Sequence, residues 1–309
     1  SIFFKKTDFN NLSIMDKNNF PELFDVSTIS YYPPENKSPN FEGYFFKNYN
    51  KAIEDTGLKY LPIQWTNYYL NNNHGDDKTK LNEFLNKHLD KEKKYFTITQ
   101  YAGGPSVPLE NTIVFSMGGM QNTPKNPTLS YIYLPLLFKD LKKEKITKKE
   151  YLASYVGRKT HPVRIKIEKK LKYKKDFHIK NLDSMKSEFT ELESGNFKSI
   201  ISRSYFSICP RGYGPTSFRL YESLALGSIP IYVSDEFILP FNEIIDWDNM
   251  AVLIKPNEVK KIPKIIKNIL DTEKYNEMLN YGQHCFEKYF NYEFMDKYVM
   301  ETVTKFRDQ

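Results

Sequence analysis

The sequence predicts an α/β protein of two domains, and three observations carry that prediction. Its 309 residues are enough for about two domains of ~150 residues each. Strand-like and helix-like stretches alternate along the chain, as in a parallel sheet with crossover helices. Residues 205–233 read as a complete βαβ unit with a glycine loop before its helix.

Taken in order, residues 1–60 are irregular, and Tyr31 to Asn36, with two prolines, is loop chemistry. Leu58 to Trp65 reads as a strand broken by Pro62. Asp77 to Leu89 carries Leu81, Phe84, Leu85 and Leu89 at helical spacing. Lys94 to Tyr101 and Asn111 to Met117 are strands, each closed by a glycine pair, and Tyr131 to Phe138 is a third short one. The charged stretch Asp140 to Lys149 has no apolar stripe and reads as a connection. It divides the chain into domains 1–145 and 146–309. Tyr151 to Val156 opens the second domain as a strand. Residues 157–162 form a turn, and a helix carrying Arg164, Ile165 and Ile167 follows. Ser187 to Arg203 is helix-like. Next come strand 205–209, loop 210–216, helix 217–226 with Gly227 as its stop, and strand 229–233. Lys260–Leu270, Thr272–Phe290 and Phe294–Phe306 read as amphipathic helices, the last of which can pack back on the first domain.

Composition excludes several classes. At 40% hydrophobic and 16% aromatic the chain can bury enough surface to order itself. Two cysteines cannot make a disulfide scaffold, and two free thiols are expected. No apolar run approaches the ~20 residues of a membrane span. The opening Ser-Ile-Phe-Phe-Lys-Lys lacks the shape of a signal peptide. A soluble, cytoplasmic protein is expected, with a removed upstream anchor left open because the first residue is not Met. The net charge of +7 leaves nucleic acid, an anionic membrane or an anionic small substrate as partners. The 39 lysines are interspersed with acids and no nucleic-acid motif is visible. Of the six arginines, five (Arg158, Arg164, Arg203, Arg211 and Arg219) fall between 158 and 219. The planar fork of arginine suits phosphate and carboxylate in a way lysine does not.

The loop Arg211-Gly212-Tyr213-Gly214 carries the chemistry. A strand–glycine-loop–helix junction presents backbone N–H groups and the positive end of a helix dipole to an anion. The loop is neither the three-glycine dinucleotide fingerprint nor a Gly-Lys-Ser/Thr phosphate loop. Arg219 and Glu222, three apart, share a helix face. They read either as an exposed ion pair or as part of a nucleotide pocket, Glu accepting from ribose and Arg meeting a diphosphate.

From Ser204 to Ile254 the sequence closely resembles the exostosin domain of glycosyltransferase family 47. The likeness rests on the run from Ser204 through Pro210-Arg211-Gly212-Tyr213-Gly214-Pro215-Thr216-Ser217-Phe218-Arg219 and Glu222 to Asp235, then Leu239-Pro240-Phe241 and Asp246-Trp247. Tyr155-Val156-Gly157-Arg158 with Arg164 is similar to the family's preceding glycine–arginine element. The resemblance implies a GT-B architecture, two Rossmann-like domains facing a cleft, followed by C-terminal helices. It also implies an inverting hexosyl- or pentosyltransferase that moves a sugar from a nucleotide sugar, UDP-linked, to a glycan or other hydroxyl. The N-terminal domain would take the acceptor and the C-terminal one the donor. No cofactor and no metal are expected, the UDP-sugar being a co-substrate. By position, Glu222 would hold the ribose. Arg158, Arg211 and residues Gly212, Tyr213, Gly214, Thr216 and Ser217 would hold the diphosphate, with Gly157, Arg219 and Asp235 completing the donor site. Arg158 and Arg211 would act in catalysis. The alternative is a silent nucleotide- or glycan-binding module of the same fold.

An inverting transfer needs a group to take the acceptor's proton. Many members of the family carry a His-Asp pair after the strand equivalent to 94–101, whereas this chain has Gln100-Tyr101-Ala102-Gly103. The nearest candidates lie in His74-Gly75-Asp76-Asp77, and Asp76 is named as the base, beside the reading of a polar turn that caps the next helix. Asp246-Trp247-Asp248 looks like a metal motif but reads as a cap with a packed Trp. Tyr44, Trp65, Tyr68, Tyr69 and Tyr101 are core candidates that could instead stack on an acceptor sugar.

Overall fold

The computed structural model describes residues 18–27, 38–49, 57–145, 147–182 and 191–307. The Tyr31–Asn36 loop and the start of the 187–203 helix lie outside them. Two parallel sheets organise the chain. In the first, β1 (Leu58–Tyr60), β2 (Lys94–Thr99), β3 (Thr112–Ser116) and β4 (Leu129–Tyr133) lie side by side in chain order. The second comprises β5 (Tyr151–Arg158), β6 (Phe177–Leu182), β7 (Ser204–Pro210), β8 (Ile229–Val233) and β9 (Val252–Ile254) in the order β6-β5-β7-β8-β9. Every pairing is parallel, with Phe206 set between Ala153 and Ile229. Strands β3 and β8 are buried along their whole length. That follows from sequences such as Ile-Pro-Ile-Tyr-Val, apolar on both faces, which suit a sheet covered on both sides. These two α/β units, with helices after the second sheet, are the architecture expected for GT-B.

The helices are α1 (Phe41–Asn48), α2 (Trp65–Asn71), α3 (Thr79–His88), α4 (Pro162–Leu171), α5 (Glu191–Ser202), α6 (Arg219–Ala225), α7 (Ile262–Leu270), α8 (Lys274–Tyr289) and α9 (Tyr292–Arg307). Asn40 caps α1 by accepting from Gly43 N at 2.9 Å, and His161 caps α4 through Val163 N with Pro162 in its first turn. Gly227 takes a φ of 70° just after α6, the left-handed stop that glycine adopts at least cost. Among the described residues no helix is long and apolar enough to cross a membrane.

Several expectations change. The strand from Leu58 ends at Tyr60, and Trp65 begins a helix instead. The Trp65 indole donates to Thr97 Oγ1 at 2.8 Å, so a tertiary bond to β2 decides the local conformation. The strand expected at 131–138 is β4, the fourth of the first sheet, and ends at Tyr133, because Pro135 cannot donate to a ladder. Strand β6, at the edge of the second sheet, was not foreseen, its Phe-His-Ile-Lys-Asn-Leu being only half apolar. The helix after the glycine loop spans seven residues, not ten.

One apolar core joins the two units. Phe96 and Phe115 from the first sheet share it with Tyr232, Leu220, Trp247 and Val303. Helix α9 closes it, Tyr292 packing edge-on to Phe41 at 5.0 Å and donating to Leu137 O at 3.3 Å. Both cysteines are buried free thiols, Cys209 on β7 and Cys285 on α8.

Candidate functional site

In an open parallel sheet a ligand crevice forms beyond the strand ends where the chain order reverses. Here β5 leads to β6 on one side, and the chain then returns to β7 on the other. The switch therefore lies between the ends of β5 and β7. Gly157 and Arg158 end β5, and Arg211 to Thr216 follow β7 directly.

Arginines dominate this point. Arg164, on α4, is buried and donates from Nε to Arg211 O at 2.9 Å, from Nη1 to Arg158 O at 3.1 Å and from Nη2 to Pro210 O at 3.3 Å. One fork thus ties both strand ends together. Burial lowers its pKa to about 10, which leaves it a cation at neutral pH. Arg219 is also buried; its Nη2 donates to Val156 O at 2.6 Å, and its guanidinium lies over the rings of Tyr155 and Phe197 at 5.2 and 4.9 Å. A surface pairing with Glu222 was one reading of this residue; instead it lies inside, bonded to β5. Arg211 is 5% exposed. Its Nη1 pairs with Asp235, and its Nη2 donates to Gln121 Oε1 of the first unit at 3.1 Å. The Arg211 ion pair holds the Asp235 carboxyl below its usual range.

The glycine loop rests on the first unit. A side chain at Gly214 would meet Gly118 O, and one at Gly119 would come within 2.8 Å of Ala102 O and of Pro215 Cδ. Gly119 also holds a φ of 135°. No bulkier residue fits this seam. Pro215 O accepts from Tyr232 Oη at 2.8 Å and Ser234 Oγ at 2.9 Å, which pins the loop to the end of β8. Gly212 lies against Arg164, and Gly157 against Arg219 and Tyr155. Tyr213 is 80% exposed at the loop's tip, while Thr216 is buried and Ser217 half-buried.

The amides that open α6 are already taken, contrary to expectation. Arg219 N donates to Ser217 Oγ, Leu220 N to Ser217 O, and Tyr221 N and Glu222 N to Phe218 O. Positive charge beneath the loop comes from buried guanidiniums, not from this short helix. Glu222 is 2% exposed and lines a cavity of about 250 Å³ with Lys198, Asp140, Lys142, Glu144 and Leu226. Arg158 is half-buried at its rim of β5.

The turn 72–78 caps the helix after it, as its polar-turn reading expects. Asp77 Oδ1 caps α3 through Thr79 N at 2.8 Å, and that bond lowers its pKa. Asp76 is exposed, with its N–H bonded to Asn72 O. Two members of this turn reach the segment after β2: His74, whose Nδ1 lies 3.1 Å from Tyr101 Oη, and Lys78, whose Nζ donates to Ser106 O at 2.9 Å. Asn73, His74 and Gly75 all have positive φ. Trp65, Tyr68 and Tyr69 are buried core residues, not stacking surfaces. Tyr101 keeps an exposed part and rests on Tyr69 at 4.6 Å. In Asp246-Trp247-Asp248, Asp246 accepts from Asp248 N and Asn249 Nδ2, and Trp247 donates to Pro240 O at 3.0 Å, as a cap with a packed Trp.

Two residues bonded to the candidate site or to the segment beside it escaped the sequence reading. Gln121 reaches Arg211 across 90 positions, and no local pattern marks it. Glu42 on α1, fully buried, accepts from Thr66 and from Gln100 N at the end of β2. Its one sequence signal is an acid amid the aromatic run Phe41-Glu42-Gly43-Tyr44-Phe45-Phe46.

Comparison with known proteins bears on the same stretch. Residues 122–269 match the model of the Exostosin GT47 domain. The exostosin-1 homolog of Caenorhabditis elegans is 26% identical over 118 residues, which are 38% of this chain and 31% of that protein. A probable glucuronoxylan glucuronosyltransferase of Arabidopsis thaliana is 34% identical over 76 residues, 25% of this chain and 16% of that one. The chain therefore spans less than a third of the length of these curated relatives. Among solved structures, HepE of Anabaena in complex with UDP-glucose aligns with a TM-score of 0.41 at 11% identity, covering 69% of this chain and 73% of that chain. At that score the likeness carries no assignment. The sequence match runs from β4 of the first sheet through β5 to β9 of the second, with the crevice at the ends of β5 and β7, and over residues 122–269 the chain is similar to the Exostosin GT47 domain.

Proposed function

We propose that the chain is an inverting, metal-independent glycosyltransferase. It moves a sugar from a nucleotide sugar, UDP-linked, to a hydroxyl of a glycan or another acceptor. One observation supports this most. Arg164 and Arg219 are buried at the strand ends, donate to backbone carbonyls, and form no ion pair with a carboxylate among the described residues. A buried cation without a counter-charge is costly, so the crevice favours an anion. A diphosphate laid on the glycine loop supplies that charge.

As the bond between the anomeric carbon and the phosphate oxygen breaks, the electron pair leaves with the nucleoside diphosphate. Fixed guanidiniums stabilise the charge without reorganising. Glu222 and its cavity take the nucleoside side, ribose hydroxyls donating to the carboxylate. Tyr213 and Arg158 stand at the exposed rim. The first unit presents the acceptor, and the 74–77 turn supplies the proton acceptor, with Asp76 and His74 as the two groups to separate by mutation. The names of several relatives, glucuronosyltransferases among them, make UDP-glucuronate a donor to include.

Calorimetric titration with UDP, GDP, CMP and UDP-sugars tests the proposal. UDP binding is expected, and Arg211→Ala or Glu222→Ala should weaken it at least tenfold while the fold survives. A chelator should leave transfer unchanged. Full activity in both variants would sink the assignment. A silent binding module is the second reading, favoured by the engagement of both Arg211 Nη atoms by Asp235 and Gln121. Tight UDP binding without turnover on any donor and acceptor pool would establish it.

A further inference from the structure

The buried acid Glu42 joins three elements of the first unit. Its carboxyl oxygens accept from Thr66 N at 3.0 Å and Gln100 N at 2.6 Å, and lie 2.6 Å from Thr66 Oγ1. Thr66 is in the first turn of α2, whose own N-cap position, Gln64, makes no side-chain cap bond. Glu42 thus caps α2 from a neighbouring helix. The tie is reciprocal at β2, because Gln100 Oε1 accepts from Phe41 N at 3.4 Å.

What Glu42 holds is the backbone that supports the crevice. A side chain at Gly118 would meet Gln100 O at 2.6 Å, Tyr101 O at 2.7 Å and Ala102 Cα at 2.8 Å. Ala102 in turn lies against Gly119 and Gly214. Residues 100–102 are therefore the floor on which the glycine loop sits, and Glu42 is the side chain that fixes where they start.

We infer that Glu42 is a positioning residue for the crevice, a proton-dependent staple that holds 100–102 against Gly118–Gly119 and the glycine loop and loosens as its proton leaves. With the proton on, the carboxyl donates to Thr66 Oγ1, no charge is buried, and Gln100 N and Thr66 N keep their acceptors. With the proton off, an anion lies in a fully buried site. The titratable groups that face it are Tyr60 from β1 and Tyr292 from α9, phenols that burial keeps neutral and that supply no counter-charge to an anion. Burial raises the Glu42 pKa to about 7 despite the three hydrogen bonds that lower it. An opening that hydrates the carboxyl returns it towards its ordinary value, so opening is favoured as pH rises through 7.

Hydrogen exchange of the backbone at 100–102, corrected for the intrinsic pH dependence, tests this without relying on any enzymatic activity. Between pH 6 and pH 8 the protection should fall about tenfold in the unmodified chain and stay level in Glu42→Gln. Level protection in the unmodified chain, or the same fall in Glu42→Gln, would overturn the proposal. Should Glu42→Gln not fold, Thr66→Val decides: it removes the hydroxyl that the carboxyl bonds in either protonation state and should move the midpoint of the fall, and an unmoved midpoint counts against the staple. UDP affinity followed over the same range reports on the crevice. A chain that binds no UDP at any pH contradicts the proposed function, while the exchange data judge Glu42 separately.

Discussion

At the scale of single residues, two buried ionisable groups are most exposed to test. Glu42 has a folded-state pKa of about 7 against an ordinary 4.5, so the folded chain holds a proton that the unfolded chain has released. Its contribution to stability is present below pH 4.5 and is lost as pH rises through 7. The loss amounts to about 3 kcal/mol at ~1.4 kcal/mol per pKa unit. Urea midpoints should therefore fall between pH 5 and pH 8, and Glu42→Gln should remove most of that slope. Arg164 is the other group. Lysine can keep only one of its three carbonyl bonds and would leave buried acceptors unmet. Arg164→Lys should cost about 2–4 kcal/mol in the same assay. A cost under about 0.5 kcal/mol would mean that the fork does not tie β5 to β7.

At the scale of elements, the glycine loop is the part whose local sequence and tertiary role agree most closely. The strand before it, its stop at Gly227 and the strand after it were all legible, because a run of apolar β-branched residues and a glycine act over a few positions. The start of the helix was not. Ser217 and Phe218 take up the opening amides with their own oxygens, and the helix begins two residues later than its apolar spacing suggests. The seam with the first unit was equally invisible, since Gly118, Gly119 and Gly214 meet across about a hundred positions. Gly214→Ala places a methyl against Gly118 O and should cost about 1–3 kcal/mol, with a loss of UDP affinity that Gly195→Ala, in open space on α5, does not share. Equal effects of the two substitutions would argue against a tight seam.

For the whole molecule, the decisive feature is the core that runs from Phe96 and Phe115 on the first sheet to Tyr232, Trp247 and Val303. Two units that share buried surface in this way should unfold together. Calorimetry is expected to show one transition whose van't Hoff and measured enthalpies agree. Val303→Ala, at 0% exposure on α9, should lower the stability of both units by about 1–3 kcal/mol. Two separate transitions would show that the core does not couple them. The net charge of +7 belongs to this scale as well. Most of it is lysine on the surface, and the charge that bears on the crevice is the small set of buried guanidiniums.

By itself the sequence determined the α/β class, the βαβ unit around the glycine loop, the cluster of arginines and the cap at Asp246. Each depends on periodicity, turn chemistry or composition within a few residues. Only the tertiary structure decided what those arginines touch. Arg164 and Arg219 face backbone carbonyls and Arg211 faces Asp235 and Gln121, because strands distant in the chain end side by side. The same holds for Glu42, whose partners Thr66 and Gln100 are 24 and 58 positions away. A carboxyl group reveals its proton affinity through what buries it, and burial arises only when the chain has folded.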